Sequence, residues 1–186
     1  MRVRERLTSA TATLMQRHGV AGTGIAEILS TSGVTRRSIY LNFPGGKSEL
    51  VAAATRSAGD AMAAMLAHCI EQPNPIEAFT RMWSELLVSS DFAGGCPIAA
   101  AAFSRDEAPE AASIAAEVFA QWGQLLAGKL SDDGINHAAA QSLSTTIIAA
   151  LEGAVMLARA AKSTKPLEQV APHLSELVAQ QLQSRR

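Results

Sequence analysis

Two adjacent arginines stand at the start of a short predicted helix, where their side chains can reach the edge of a DNA base. Arg36 and Arg37 follow Thr35, a residue type that caps helix N-termini. An arginine can donate two hydrogen bonds to O6 and N7 of guanine, and a leucine such as Leu41 can pack on a thymine methyl group. This segment therefore carries side chains suited to base recognition in the major groove.

The 25 residues around these arginines, 23–47, predict two helices joined by a tight turn. Thr23 can cap the first helix, and Gly33 can end it because glycine tolerates a positive φ. The second helix begins after Thr35 and stops at Pro-Gly-Gly, 44–46. A turn of about four residues followed by a short basic helix is the layout of a helix-turn-helix. An ordinary corner between two helices has the same spacing, so spacing alone leaves both interpretations open.

The distribution of charge favours the DNA-binding interpretation. The whole chain has a net charge of −1, but residues 1–47 contain seven basic and two acidic residues, a net charge of +5. Residues 48–186 contain nine basic and 15 acidic residues, a net charge of −6. One end of the chain is therefore suited to a polyanion, and the other end repels it.

The same segment carries a family resemblance. From Gly19 to Leu50 the sequence resembles the N-terminal domain of the TetR family of bacterial transcriptional regulators. The matching pieces are Ile-x-x-x-x-Gly-Val at 28–34, Tyr-x-x-Phe at 40–43 and Lys-x-x-Leu at 47–50; Thr-Gly-Ile at 23–25 and Phe-Pro-Gly-Gly-Lys at 43–47 are similar to the LmrA/YxaF-like branch. The resemblance implies a helix-turn-helix DNA-binding domain over 1–46 and a helical ligand-binding and dimerisation domain over 47–186.

Two positions depart from the pattern of the family. Its members usually carry Gly where this chain has Arg37, and often His or Tyr where it has Asn42. The first departure bears on how closely the recognition helix approaches the groove. The second bears on a contact with a phosphate.

The resemblance and the helix geometry together assign a role to each residue at the DNA. Residues that begin the recognition helix are expected to read bases, and those around it to position the protein on the backbone. The base-reading residues are Arg36, Arg37, Ser38 and Leu41, and the remaining DNA-binding residues are Thr23, Thr35, Tyr40, Asn42 and Lys47. Arg2 and Arg4 are expected to add mobile contacts.

Composition and periodicity predict an all-α fold of nine helices. Nearly half of the 186 residues are apolar, with much alanine and only 4 % aromatics, and no alternating pattern typical of strands persists. Beyond the helix-turn-helix pair, helices are expected at about 3–17, 47–71, 75–89, 97–103, 108–130, 135–162 and 166–183. The apolar run 147–158 is interrupted by Glu152, so no membrane span is expected. With no signal peptide and two scattered cysteines, the chain is expected in the cytoplasm.

An effector pocket is expected among helices 4 to 8 of the second domain. Its candidates are apolar, aromatic or imidazole side chains at helical spacing: Met62, Met65, His68, Trp83, Phe103, Phe119 and Trp122. Such a stripe is also typical of plain core, so both interpretations stay open. The branch that the chain resembles responds to flavonoid-like or other flat aromatic effectors. Helix 4, which begins beside the DNA, is expected to carry the signal.

The last two helices predict a homodimer. Helix 8 is apolar nearly all round, so it must be covered on more than one side, by a partner or within a monomeric bundle. We expect helices 8 and 9 of two chains to form a four-helix bundle, as the resemblance also implies. The expected interface residues are Leu143, Ile147, Leu151, Val155, Leu174, Leu177 and Val178.

The function expected is therefore a ligand-responsive transcriptional repressor that binds palindromic operator DNA as a homodimer and is released by a small, mainly apolar or aromatic effector. The alternative is a helical enzyme or partner-binding protein that retains a helix-turn-helix. Adjacent acids at 106–107 and 132–133 are typical of solvated loops, and no nucleophile with its base is evident. No cofactor is expected, and the histidines and cysteines lack metal-ligand spacing. Cys96 lies at the start of helix 6, where it is either a reactive sensor or a small buried residue.

Overall fold

The structure is a computed structural model that describes residues 2–183. All regular elements in these residues are α-helices, which confirms the predicted fold class. The helices are α1 (Val3–His18), α2 (Ile25–Ser32), α3 (Arg36–Asn42), α4 (Gly46–Ile70), α5 (Pro75–Ser89), α6 (Pro97–Ala102), α7 (Pro109–Asp132), α8 (His137–Ala161) and α9 (Lys165–Gln183).

Proline and glycine set several of these helix ends. Pro75 and Pro97 stand in the first turn of α5 and α6, where a missing N–H costs no hydrogen bond. Gly33 ends α2 with φ +64°, a left-handed conformation that glycine adopts without a steric penalty. The helix ends predicted from these residues agree with the structure to within about two residues.

The helices group into two compact units. Unit 1 contains the chain up to Met62 together with Cys96–Phe119, and unit 2 contains Ala63–Gly95 and the chain from Ala120. Helices α4 and α7 therefore contribute to both units. This grouping follows packing rather than role, so the predicted domain boundary after residue 46 stays a prediction.

The core of unit 1 holds the first three helices together. Its buried side chains come from α1, α2, α3 and the start of α4: Leu7, Leu14, Ile28, Ile39, Phe43 and Leu50. Val3 is 39 % exposed, because it lies in the first turn of α1, before the buried positions begin. Elsewhere in unit 1, α4 and α7 approach closely, since a Cβ on Gly59 would lie 2.5 Å from Val118 Cγ2.

Unit 2 is built on α5, α8 and α9, which pack against one another. The side chains of Leu143, Ile147, Leu151 and Val155 line the buried face of α8. Leu167 and Leu174 line the buried face of α9. Burial of these faces inside one chain stabilises unit 2.

This packing corrects the prediction for the dimer interface. Five of the seven residues expected there are buried within unit 2 of the single chain: Leu143, Ile147, Leu151, Val155 and Leu174. They form the most apolar stripe, and α5, α8 and α9 of one chain already cover it. Leu177 is 41 % exposed and Val178 is half-buried, while Met156 and Leu157 of α8 are exposed instead.

Helix α8 is long and apolar enough to cross a membrane, judged by length and composition among the described residues. Glu152 was expected to rule out a membrane span, yet α8 has the length and composition of one despite this charge. One stripe of the helix is buried against its neighbours in unit 2, as in the core helix of a globular domain.

Candidate nucleic-acid interface

Helix α3 has exposed polar side chains on one face and a buried isoleucine on the other. The Thr35 side chain accepts a hydrogen bond from the backbone N–H of Ser38 at 3.3 Å, so Thr35 caps the helix as predicted. Ile39 is fully buried, whereas Arg36 and Arg37 are exposed. The two arginines therefore stand in the first turn of an anchored helix, with their guanidinium groups accessible to a ligand.

Two larger side chains extend this exposed face of α3. Tyr40 is 52 % exposed, and Leu41 is 71 % exposed. The Tyr40 ring lies beside the start of α4, because a Cβ on Gly46 would be 3.6 Å from Tyr40 Cε1. Exposure of a leucine to this degree leaves its methyl groups available for contact with an apolar group on a partner.

Asn42 and Lys47, both expected at phosphates, are half-buried and have partners within the protein. The Asn42 side-chain amide donates to the carbonyl of Ser38 at 2.8 Å. The Lys47 ammonium donates to the carbonyl of Val20 at 3.3 Å. An ammonium has three N–H groups, so Lys47 retains donors for a further contact.

Thr23 differs from its prediction in two respects. The cap of α2 is Gly24, and the Thr23 hydroxyl instead donates to the carbonyl of Gly19 at 2.7 Å. The Thr23 side chain is fully buried. It closes the turn between α1 and α2 and has no surface with which to contact DNA.

Arg4 was expected to be mobile, yet the structure gives it two specific contacts. One guanidinium nitrogen donates to the carbonyl of Asn42, and the guanidinium carbon lies 4.2 Å from the centroid of the Phe43 ring. Arg6 similarly donates to the carbonyls of Ser32 and Gly33. Helix spacing could not predict these contacts, because they join residues 26 to 39 positions apart.

The candidate effector residues are distributed over both units rather than gathered at one place. Met62, Phe103 and Phe119 belong to unit 1, and the other four belong to unit 2. Met62, Trp83 and Trp122 are buried, Met65 and Phe119 are half-buried, and His68 is exposed. Phe103 is 87 % exposed, so its own unit does not enclose it as a pocket residue would require.

A groove between α4 and α5 in unit 2 brings two of these candidates together. It has a volume of about 470 Å³, within the range of small-molecule sites. Its lining residues are Ala64, Met65, His68, Cys69, Gln72, Ala78, Arg81, Met82 and Glu85. The α5 members recur at three- and four-residue intervals, which is the signal by which one face of that helix could have been found.

The Cys69 thiol in this groove is affected by burial and by one guanidinium. Burial raises the pKa of the Cys69 thiol, and the positive charge of Arg81 opposes this shift. The thiol is therefore mainly protonated at neutral pH, and Arg81 places a positive charge within reach of the groove. Among residues 2–183, no three His, Cys, Asp or Glu side chains are grouped to hold a metal ion.

A buried three-helix core with an exposed basic helix after a glycine turn defines a helix-turn-helix regulator, and comparisons with known proteins agree. The family described as bacterial regulatory proteins, tetR family, matches residues 7–54. The family described as transcriptional regulator LmrA/YxaF-like, C-terminal domain, matches residues 74–173. The chain belongs to the TetR family of bacterial transcriptional regulators, in its LmrA/YxaF-like branch.

Individual relatives and solved structures extend over nearly the whole chain. An HTH-type transcriptional regulator of Mycobacterium tuberculosis is 34 % identical, over 98 % of this chain and 97 % of the relative. The HTH-type transcriptional regulator LmrA of Bacillus subtilis is 28 % identical, over 94 % and 96 %. A TetR transcriptional regulator from Legionella pneumophila has a similar fold, with a TM-score of 0.82 at 22 % identity over 95 % and 97 %.

Proposed function

We propose that this regulator is a ligand-responsive repressor that binds a palindromic operator as a homodimer and is released by a small effector. The observation that carries the proposal is the first turn of α3, where Arg36 and Arg37 are exposed. Thr35 caps this helix, and the buried side chain of Ile39 anchors it in the core. Arg36, Arg37 and Ser38 read bases, with Leu41 against a thymine methyl. Tyr40, Asn42 and Lys47 contact the backbone, each within or next to α3.

The dimer places two such helices in successive major grooves, about one helical turn of DNA apart. Support for a dimer comes from apolar side chains that unit 2 leaves exposed, namely Met156 and Leu157 of α8 and Leu177 of α9. The contact is an isologous pairing of α8 and α9. It uses the outward faces of these helices, because their inward faces pack within one chain.

The groove between α4 and α5 is the site of the effector in this proposal. Met65 and Met82 give it an adaptable apolar surface, which suits a flat aromatic body. Arg81 and Glu85 add one charge of each sign to its lining, which favours an effector that also carries polar groups. The effector lowers operator affinity by binding the non-binding conformation more tightly. Since the relatives are bacterial transcriptional regulators, we infer that the protein acts in the cytoplasm.

Selection of binding sites from a random duplex library tests the DNA-binding part directly. The purified protein is expected to enrich a palindrome with half-sites about one helical turn apart. Its affinity should fall steeply as salt rises, because each phosphate contact releases condensed counterions and contributes about −0.9 to the logarithmic slope. Enrichment of no sequence, or an affinity that salt leaves unchanged, would refute a sequence-specific DNA reader.

A further inference from the structure

Two arginines near the start of α1 donate to the last carbonyls of both helices of the helix-turn-helix. We propose that Arg4 and Arg6 are positioning residues, which hold α2 and α3 in the register that lets α3 read DNA bases. The proposal rests on the proposed DNA-binding function. It assigns these two arginines to the protein's own helix ends, although they belong to the basic N-terminal segment that attracts DNA.

Arg6 is bound to the C-terminal end of α2. Its Nε and Nη2 donate to the carbonyl of Ser32 at 3.1 and 2.6 Å, and Nη2 also donates to the carbonyl of Gly33 at 3.1 Å. Ser32 is the last residue of α2, and Gly33 is its C-cap. The last carbonyls of a helix lack intrahelical partners and form the negative end of its dipole. A guanidinium at this end therefore donates hydrogen bonds to the free carbonyls and also places a positive charge beside the dipole.

Gly33 shows how closely this guanidinium is fitted to the turn. A Cβ at position 33 would lie 2.9 Å from Arg6 Nη2. The glycine is therefore required twice, once for its φ of +64° and once for the approach of Arg6. The turn between α2 and α3 therefore packs directly against the Arg6 guanidinium.

Arg4 is bound to the C-terminal end of α3 in the same manner. Its Nη1 donates to the carbonyl of Asn42, the last residue of α3, at 2.6 Å. Its guanidinium also lies over the Phe43 ring, 4.2 Å from the guanidinium carbon to the ring centroid. A cation on an aromatic face adds attraction to that of the charged hydrogen bond. Phe43 is fully buried, so this contact ties Arg4 to the core of unit 1.

The two recognition helices need such support because they are short. Helix α2 has eight residues and α3 has seven, below the length at which a helix is stable alone in water. Both donors come from α1, so α2 and α3 are fixed to one common element. Loss of either donor would leave these carbonyls to water and remove the tie to α1, which would allow the angle of α3 to vary.

Variants that retain the positive charge separate this role from contact with phosphate. A lysine at position 4 or 6 keeps the charge and satisfies a phosphate, but it cannot donate from two nitrogens or stack as a plane. Arg4→Lys and Arg6→Lys are compared with Arg105→Lys, which changes an exposed arginine of unit 1 outside the helix-turn-helix. Each variant is measured on the selected operator and on a scrambled duplex, well below its melting temperature.

Positioning predicts that the two test variants lose about tenfold or more in operator affinity, the scale of one charged hydrogen bond, while affinity for scrambled DNA stays unchanged. Arg105→Lys should match wild type on both duplexes. Equal losses on operator and scrambled DNA would show partial unfolding rather than loss of position, because a lysine still satisfies a phosphate. Wild-type affinity in both test variants would show that the guanidinium contacts do not position α3. Either result overturns the proposal.

Amide hydrogen exchange in the DNA-free protein provides a second readout that does not depend on DNA binding. Arg6→Lys should speed exchange in α2, and Arg4→Lys in α3, with the other helices of the chain unchanged. Unchanged exchange in both helices would overturn the proposal even if operator binding fell. A wild-type protein that selects no operator would refute the proposed function, and the exchange rates would then still decide whether Arg4 and Arg6 hold these helices.

Discussion

At the scale of the residue, Arg37 is the side chain with the sharpest expected effect on recognition. It is exposed in the first turn of α3, at a position where the family usually has glycine. If Arg37 bonds a guanine edge, Arg37→Ala should cost about 1–3 kcal/mol per half-site and relax preference at one operator position. Titrations against operators substituted at each position measure this directly.

The control for this prediction is the affinity of the Arg37→Ala variant for scrambled DNA. An arginine that meets only phosphate would, when replaced by alanine, weaken binding to operator and scrambled duplex alike and lower the salt slope by about 0.9. An arginine that faces solvent would leave both affinities unchanged. Only a selective loss on the operator supports base reading.

Exposure of the candidate DNA-binding residues at the start of α3 could be predicted from sequence, but the contacts of such candidates within the protein could not. The cap at Thr35 and the exposure of Arg36, Arg37 and Leu41 follow from local helix rules. The role of Thr23 could not be predicted in this way, because its side chain is buried in the turn before α2 and its hydroxyl donates to the carbonyl of Gly19. Such contacts depend on how separate elements pack, which spacing within one helix does not contain.

At the scale of the element, Gly59 is expected to be indispensable to the crossing of α4 and α7 in unit 1. A Cβ there would lie 2.5 Å from Val118 Cγ2, and valine is stiff at χ1. Gly59→Ala should therefore destabilise the protein by about 1–3 kcal/mol through overpacking, despite alanine's better helix propensity. Thermal or chemical denaturation measures the change.

Gly128 of α7 is the matched control for Gly59. A Cβ at this exposed position would meet no atom within 4 Å, so Gly128→Ala should stabilise by about 1 kcal/mol. Adding Val118→Ala to Gly59→Ala should recover part of the loss. Equal effects at the two glycines would show that α4 and α7 are farther apart than this packing indicates.

The ends of the helices were easier to predict than their faces. Proline and glycine act locally, so α5 began at Pro75 as expected. The face of α8 was assigned to a partner chain because it was the most apolar one, whereas α5 and α9 of the same chain cover it. Hydrophobic periodicity identifies a stripe that must be buried, but it does not say which element covers it.

The outward face of α8 gives a second prediction at this scale. Substitution of both Met156 and Leu157 by glutamate should dissociate the proposed dimer, because an interface does not tolerate unpaired charges at its centre. The matched control replaces Leu86 and Val88 of α5, which are also exposed apolar side chains of unit 2. Sedimentation velocity should find monomers for the first pair and dimers for the second. Dimers in both would place the interface elsewhere.

At the scale of the whole molecule, the charge asymmetry and the length of α4 bear on how the proposed effector groove acts on DNA binding. The first 47 residues carry +5 and the remainder −6, so only one end of the chain attracts DNA. Helix α4 begins at Gly46, shortly after α3, and its residues from Ala63 belong to unit 2. We propose this helix as the route by which an effector in the groove changes the affinity of α3 for its operator.

Met65 lies on α4 in that groove, so a larger side chain there should imitate a bound effector. Met65→Trp is expected to weaken operator binding by about 5- to 150-fold, the usual range of allosteric coupling, and to leave the dimer intact. Met65→Leu, which adds no volume, is the control. If Met65 is only core, tryptophan would lower the melting temperature and leave the affinity of the folded fraction intact. Melting temperature and operator affinity measured on one preparation separate the two results, and intact affinity would refute signalling through α4.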